Sequence, residues 1–427
     1  MENRRSFLTK AALGVAAVSK ATAASGQFTV GFIGTGSRAN AALIPQFKFN
    51  PAFRIVALCD VYKPNLDEAA SRVGGKVDTY GDYRRLLDRK DIDVVVIATP
   101  DHWHVPMLMA ACEAGKDVYL EKPVSNDIDM CLKGIAAVRK YNRVVEVGLM
   151  QRSSLPFLEA YKEVQSGILG KVRHVVVINP GGSAPRRNPN AAEGGGQARG
   201  QGGGRGPSSG LSDPPPGLDW EMFQGPAPRR PYSQNRQRNW RSYWEYGCGP
   251  LSDWGVHLLD IAHWYLGVTE PSRTAAAVYG WFNRPEDDRF PDTTEVAWQY
   301  PNFVADYSSR SDVLGTYLWG DDGMLFVNRN GYTVRPVTQR NNPGGKPPFE
   351  EKKVALHDEP HNYEASFESD AGRHIINFLS CIKSRQRPVC DIEIGAFSTI
   401  PTLMGGLSIR SGGKTVAWNG NGAAVMG

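Results

Sequence analysis

Five short apolar runs mark the first 150 residues. FTVGFI (28–33) ends in a glycine turn, and RIVALCD (54–60), DIDVVVIATP (91–100), DVYLEKP (117–123) and RVVEVGL (143–149) follow it. Among them lie SRANAALIPQF, KPNLDEAASRVG, DYRRLLDRK, HVPMLMAACEAGK and IDMCLKGIAAVRKYN, which read as helices. Apolar runs alternating with helical segments predict βαβ units. The expected unit over 27–150 is therefore an α/β domain, a parallel sheet with helices on both faces.

The texture changes after Gln151. RHVVVINPGG opens a new strand, and AAAVYGWF, TTEVAWQY, GMLFVN and YTVRPV read as further short strands. Two late helices are expected near 371–384 and 395–410, with a possible return onto the first domain. Residues 151–415 thus predict an α+β domain with an open, mainly antiparallel sheet. Glycine, proline and small polar residues dominate 181–217, which has almost nothing to bury. That composition predicts a disordered insertion, with a lid over a site as the rival reading. The Gly/Ala-rich tail 416–427 is expected to fray.

Composition adds a few constraints. The chain has 427 residues, 41% hydrophobic, and 49 Lys and Arg against 44 Asp and Glu leave a formal charge of +5. Without the first 25 residues the charge is only +2, so the basic balance belongs largely to the N-terminus and does not argue for nucleic acid. That N-terminus places Arg4 and Arg5 before Ser-Phe-Leu, then the modest run AALGVAAV, then small residues. Residues 1–26 resemble a twin-arginine export signal, which implies a periplasmic or cell-envelope location. No later segment approaches about 18 uninterrupted apolar residues, so no membrane span is expected in the mature protein. Six cysteines show no CxxC and no zinc-like spacing, and no metal is expected. Cys381 and Cys390 flank a short basic loop and are candidates to pair in an oxidising compartment.

Candidate chemistry begins where the first strand runs into GTGSRA (34–39). Gly34 permits a tight turn. Gly36 lets backbone approach a pyrophosphate, and Ala39 allows close helix–strand packing. Thr35, Ser37 and Arg38 complete the loop. Asp60 ends the second strand, 24 residues after Gly36, where a carboxylate on an adenosine ribose is expected. The pattern predicts a Rossmann domain that binds NAD or NADP. Asp60 favours NAD, while Arg38 and Lys63 keep a 2′-phosphate open.

Ligands of such sheets sit beyond the carboxyl ends of the strands. Two of these ends are polar: TPDHWH (99–104), with Thr99, Pro100 and His104, and LEKP (120–123), with Glu121 and Lys122. In the second domain, DWGVHLLD places Asp253 and His257 at i and i+4, on one face of an expected single helix. Ser252 or Asp253 is a candidate cap for it, and Val256, Leu259 and Trp264 fit a buried stripe.

GTGSRA, Asp60, ATPDHWH, GKDVYLEKP, VGLMQR and DWGVHLLD, in this order, resemble the glucose–fructose oxidoreductase / inositol dehydrogenase / MocA (Gfo/Idh/MocA) family of NAD(P)-dependent oxidoreductases. The resemblance covers nearly all of the chain after the signal. It implies that Lys122, Asp253 and His257 line a substrate pocket beside the nicotinamide, that Pro123 follows a cis bond, and that the protein forms a homo-oligomer through its C-terminal sheet. Arg152 of VGLMQR becomes a candidate cofactor or substrate contact. The segment from LDWEMFQGPAP to WRSYWEYGCG resembles an exported subgroup. Its Trp240, Tyr243, Trp244 and Tyr246 are candidate sugar contacts, with core packing as the alternative.

The resemblance implies hydride transfer from a secondary alcohol of a sugar, sugar derivative or polyol, with Lys122 or His257 taking the hydroxyl proton. An exported enzyme of this kind needs a cofactor that is tightly held and recycled in place. Two enzyme readings stand. One oxidises a sugar and reduces a second carbonyl compound. The other is a redox-assisted glycosidase or lyase acting through a transient keto-sugar. The best-known relatives of the second kind carry a different residue in place of the EKP lysine, so Lys122 favours the first. A dinucleotide-binding sensor is a distant third.

Overall fold

The computed structural model describes residues 26–180, 213–281, 289–309, 313–337, 347–357 and 365–427. The expected signal up to residue 25 and the glycine-rich stretch 181–212 lie outside the described residues.

Six strands form the first sheet: β1 (Phe28–Ile33), β2 (Phe53–Cys59), β3 (Asp78–Tyr80), β4 (Val94–Ile97), β5 (Asp117–Leu120) and β6 (Val145–Val147). They run parallel in the order β3-β2-β1-β4-β5-β6. Nearly every residue of the inner strands is buried, as a sheet covered on both faces requires. β3 has no counterpart in the sequence reading, because DTY is a short, largely exposed edge strand without an apolar run. The helices of this domain are α1 (Ile44–Phe49), α2 (Lys63–Val73), α3 (Tyr83–Leu87), α4 (Asp101–Glu113) and α5 (Ile128–Tyr141). Strand order reverses between β1 and β4, which opens a crevice at their carboxyl ends.

The second domain contains α6 (Leu155–Gln165), β7 (Val172–Ile178), α7 (Trp220–Gln224), α8 (Gln234–Arg238), α9 (Gly249–Asp253) and α10 (Gly255–Leu266). Its sheet continues with β8 (Thr274–Gly280), β9 (Thr293–Gln299), β10 (Val304–Ser308), β11 (Gly315–Gly320), β12 (Gly323–Asn328), β13 (Gly331–Pro336) and β14 (Lys352–Ala355). Two helices, α11 (Asp370–Ser384) and α12 (Ile392–Arg410), precede β15 (Val416–Trp418) and β16 (Ala423–Val425). The ten strands are ordered β14-β13-β12-β11-β7-β10-β9-β8-β15-β16. β7 and β10 pair in parallel, and the other pairings are antiparallel.

The tail corrects the expectation of fraying. Val416 pairs with Ala275, and Asn419–Gly422 turn the chain into a hairpin that brings β16 onto β15. Small residues hide this strand from a hydropathy reading. Backbone pairing and an Asn-Gly turn need no large side chains.

Both late helices return to the first domain. Ile375, Phe378 and Ile382 of α11 enter the core that holds Phe47 and Tyr119. α12 packs against α5 on one side and β8 on the other. It is the one helix among the described residues long and apolar enough to cross a membrane, and 78% of its apolar window is buried in the fold. All six cysteines are free thiols, so Cys381 and Cys390 are not joined.

A buried polar chain joins the halves. Arg152, just beyond β6, donates from Nε and Nη2 to the two carboxylate oxygens of Asp260 on α10, both at 2.8 Å. Ser398 of α12 donates to Asp260 at 2.7 Å, and His263 lies 3.2 Å from Ser398 and 2.7 Å from the Tyr300 hydroxyl. Asp260→Ala leaves the Arg152 charge buried and uncompensated. It is expected to cost about 3–5 kcal/mol of stability, read from urea denaturation by tryptophan fluorescence. A cost near zero would show that the guanidinium finds water or another anion.

Candidate active site

The loop after β1 is built for close approach. Gly34 has φ +85°, and a Cβ there would lie 2.7 Å from the Ala98 carbonyl and 2.8 Å from Thr99 N. Only glycine lets the exits of β1 and β4 touch. Gly36 is different: the nearest atom to its missing Cβ is Asn65 Nδ2 at 3.9 Å, so the space in front is open. Ser37 is exposed beside it. The following helix begins as a π-type turn, Ala39–Leu43, before α1.

Asp60 faces this loop. Its carboxylate accepts from Thr35 N at 2.7 Å, Thr35 Oγ1 at 3.1 Å and Tyr62 N at 2.8 Å. Burial raises its pKa in spite of these hydrogen bonds. Deeper in the crevice, Thr99 Oγ1 and Gln151 Oε1 are buried without hydrogen-bond partners. The open cradle at Gly36, the carboxylate after β2 and these orphaned atoms fit a dinucleotide lying across the switch point.

Arg38 turns inward rather than toward a ribose. Its Nε donates to Glu121 Oε1 at 2.6 Å. Burial alone would raise the Glu121 carboxyl, but Arg38 and Lys122 outweigh it and hold the group below its ordinary value. The Lys122–Pro123 bond is cis, as the resemblance implied. His104 bridges the two strand-end turns, with Nδ1 2.6 Å from Pro123 O and Nε2 2.9 Å from Thr99 O. Both its ring nitrogens are thereby occupied, so His104 supports the wall. Pro100 stands at the start of α4, part-exposed beside Thr99.

The predicted single helix through DWGVHLLD is broken at Trp254, where α9 stops and α10 begins. Neither Ser252 nor Asp253 caps α10. His257 N bonds to Trp254 O instead of Asp253 O, which leaves the Asp253 carbonyl available. Lys122 uses it: Nζ donates to Asp253 O and to Asp253 Oδ1, both at 2.7 Å. Arg241 adds a third contact, 3.3 Å from the same oxygen. Burial would raise the Asp253 carboxyl, but Lys122 and Arg241 reverse the shift and bring it down to about 2.

His257 sits one turn farther on. Its Nδ1 is buried without a hydrogen-bond partner. Burial, with Lys122, Arg329 and Arg38 nearby, pushes its pKa well below the ordinary value, so the imidazole is neutral. Asp253 is spent on the two cations and makes no hydrogen bond to His257. The structure therefore presents a charged lysine locked to a carboxylate and, beside them, a neutral histidine with an unused nitrogen.

The other candidates separate. Arg152 is committed to Asp260, with 9% of its side chain exposed, and makes no ion pair in the crevice. Tyr243 and Tyr246 are buried in an aromatic cluster with Trp220, Phe223 and Tyr232. Trp244 packs on Phe290 and under Arg410, and Trp240 under Arg241. Packing accounts for these four aromatics, and Trp240 and Trp244 keep partial exposure. Two residues were missed. Arg241 holds Asp253, and Asp101, in the first turn of α4, is buried near both, its carboxyl pushed well up by burial against the pull of Arg241. Its place directly after a strand end was a signal for Asp101. Nothing in the sequence distinguished Arg241 from its arginine-rich neighbours. Among the described residues no cluster of His, Cys, Asp and Glu is arranged to hold a metal.

Two models of one family match the chain. Residues 28–149 match the Gfo/Idh/MocA oxidoreductase family, NAD-binding Rossmann fold, and residues 209–302 match its C-terminal alpha/beta domain. An inositol 2-dehydrogenase/D-chiro-inositol 3-dehydrogenase of Lactiplantibacillus plantarum is 29% identical over 143 residues, 33% of this chain and 41% of that protein. A glycosyl hydrolase family 109 protein of Shewanella sp. strain MR-4 is 30% identical over 156 residues, 34% of this chain and 33% of that protein. The chain thus aligns with less than half the length of each of these relatives. Among solved structures, the aldose–aldose oxidoreductase of Caulobacter crescentus superposes with a TM-score of 0.62 at 20% identity, over 92% of this chain and all of the other. At that identity the likeness is one of fold.

The Asp253 shift makes a signed prediction. Its folded pKa, about 2, lies below the ordinary value of 3.8, so its contribution to stability is complete above that value and is lost as pH falls toward about 2. The difference in thermal stability between the wild type and Asp253→Asn should be constant from pH 5 to 7 and shrink below pH 4. A difference independent of pH down to 2.5 would disprove the pairing.

Proposed function

The chain belongs to the Gfo/Idh/MocA oxidoreductase family, and from that premise we propose that it is an NAD-dependent dehydrogenase of a sugar, sugar derivative or polyol, acting on a secondary alcohol. The observation that carries this reading is the Lys122–Asp253 pair beside a neutral, unpartnered His257 at the mouth of a dinucleotide crevice. Gly34, Thr35, Gly36, Ser37 and Asp60 would hold the dinucleotide, with Thr99 and Glu121 along its path. Bound nicotinamide supplies the hydride acceptor.

The chain's own residues divide the remaining work. His257 takes the hydroxyl proton, because a neutral imidazole accepts one and an ammonium locked to a carboxylate does not. Lys122 polarises the substrate oxygen as negative charge develops on it. Asp253 and Arg241 fix the lysine's position. NAD is favoured over NADP: Asp60 stands where a 2′-phosphate would be repelled, Arg38 is held by Glu121, and Lys63 pairs with Asp67 at 2.6 Å.

Twin-arginine export to the periplasm or cell envelope, a tightly bound cofactor recycled in place, and a homo-oligomer through the ten-stranded sheet belong to the same reading. Val278 and Val304 on that sheet are 75% and 49% exposed, which suits a face that another copy would cover. A second reading, the redox-assisted glycosidase, draws support from the glycosyl hydrolase relative.

The test is direct. Denaturing protein purified from the exported fraction should release one NAD per chain, and sugars should turn over when an acceptor carbonyl is supplied. Turnover of aryl glycosides without an acceptor would instead favour the second reading. Lys122→Ala and His257→Ala should each lower kcat by about 10²–10⁴-fold. The acid limb of the rate profile should lie below pH 6.5, since the His257 pKa is lowered. Near-native rates in both variants would remove these residues from the mechanism.

A further inference from the structure

The segment that opens the second domain's aromatic region crosses the first domain at a particular place. Leu218 pairs antiparallel with Tyr62, Gly217 O accepts from Lys63 N at 2.8 Å, and Asp219 N donates to Val61 O at 2.9 Å. Val61 directly follows Asp60, the carboxylate expected on the adenosine ribose. The other end of the segment is fastened to the first turn of α4, which follows β4. Trp103 Nε1 donates to Phe223 O at 2.9 Å, and His102 Nε2 lies 3.0 Å from the same oxygen. Gly225 has φ +52° and lies so close to the Trp103 ring that a Cβ would fall 2.0 Å from it. Residues 217–225 therefore run from the exit of β2 to the exit of β4, the two loops that bound the adenosine half of a dinucleotide crevice.

The segment is ordered from within. Asp219 caps α7 by accepting from Met222 N at 2.8 Å. Trp220 and Phe223 stack at 4.9 Å, and their cluster reaches Val61 and Leu218. Beside the segment is a half-open pocket of about 440 Å³ whose lining includes Val61, Tyr80, Asp82, Arg85, Asp219 and Met222. It begins at the residue after the ribose carboxylate and offers a thioether and a tyrosine ring, with the Asp219 carboxylate for an exocyclic amine, Asp82 being paired with Arg84.

We propose that residues 217–225 form a strap over the adenosine half of the cofactor site, with Met222 and Asp219 walling the pocket for the adenine base. The inference rests on the dinucleotide reading of the crevice and deepens it. With both ends fastened to the first domain, a bound nucleotide leaves only when the strap detaches. Cofactor retention is then a property of this segment, and an enzyme that recycles its nucleotide in place has a structural means of keeping it.

The test reads release rather than turnover. Protein loaded with NADH is mixed with excess NAD, and the loss of bound NADH is followed by fluorescence. Trp220→Ala, which loosens the strap, should speed release at least tenfold. Met222→Trp, which fills the cavity, should weaken NADH binding at least tenfold with native circular dichroism. Wild-type release and affinity in both variants would overturn the strap. If Trp220→Ala does not fold, Met222→Trp decides alone, and unchanged affinity rejects the adenine pocket. Gly36→Val separates the two ideas. Should it abolish NADH binding while the strap variants behave as wild type, the dinucleotide reading stands and the strap fails. Should the wild type bind no NADH, both fall.

Discussion

The ion pair between Lys122 and Asp253 is the constraint on which the site depends, because its two charges come from different domains. Lys122 stands at the carboxyl end of β5, and Asp253 ends a short helix of the second domain. In the assembled chain, removing either partner would leave a poorly solvated charge uncompensated, a state that costs several kcal/mol. The break at Trp254 completes the arrangement. A continuous helix would give the Asp253 carbonyl to His257 N. The broken one gives it to the lysine, so one ammonium satisfies a carboxylate and a helix-terminal carbonyl together.

Burial acts alike on every acid in the crevice, and the neighbours decide the outcome. Asp253 is hydrogen-bonded to Lys122 and Arg241, Glu121 is bonded to Arg38 with the Lys122 charge nearby, and those charges overcome desolvation. For Asp253 the net shift corresponds to about 2–2.5 kcal/mol, at roughly 1.4 kcal/mol per pKa unit. Asp101 makes no such close ion pair, and burial wins. For His257 burial and charge act in the same direction, since cations and desolvation both oppose protonation. The same cations that keep the carboxylates ionised thus keep the imidazole neutral. That opposition leaves a neutral imidazole beside a fixed positive charge.

The second domain also reaches around the first. α11 shares a core with the first sheet, α12 packs on α5, and Arg152 is bound to Asp260 and, through it, to Ser398. Residues 217–225 add backbone hydrogen bonds to the exit of β2 and side-chain contacts from His102 and Trp103 in the first turn of α4. These contacts hold the two domains as one packed body around the crevice, and Lys122, Asp253 and His257 are positioned by packing from both sides.

Local pattern was enough for five of the six strands of the first domain. Apolar runs and helical spacing are short-range signals, and the glycine loop, Asp60 and the EKP strand end all follow strands that the pattern marks. Motif order along the chain was enough to associate Lys122, Asp253 and His257, because topology brings the ends of β5 and α9 to one crevice. The β3 edge strand and the closing hairpin stayed hidden, since their stability comes from backbone pairing with distant strands and not from their own side chains. Charge partners were hidden too. Arg38 was as suited to a ribose phosphate as to Glu121, Arg152 to a substrate as to Asp260, and the aromatics of 240–246 to a sugar as to Arg241, Phe290 and the cluster around Trp220. A side chain's type states what it can bond. Which partner it meets depends on where the whole fold places the competing groups, and only the tertiary structure settles that competition.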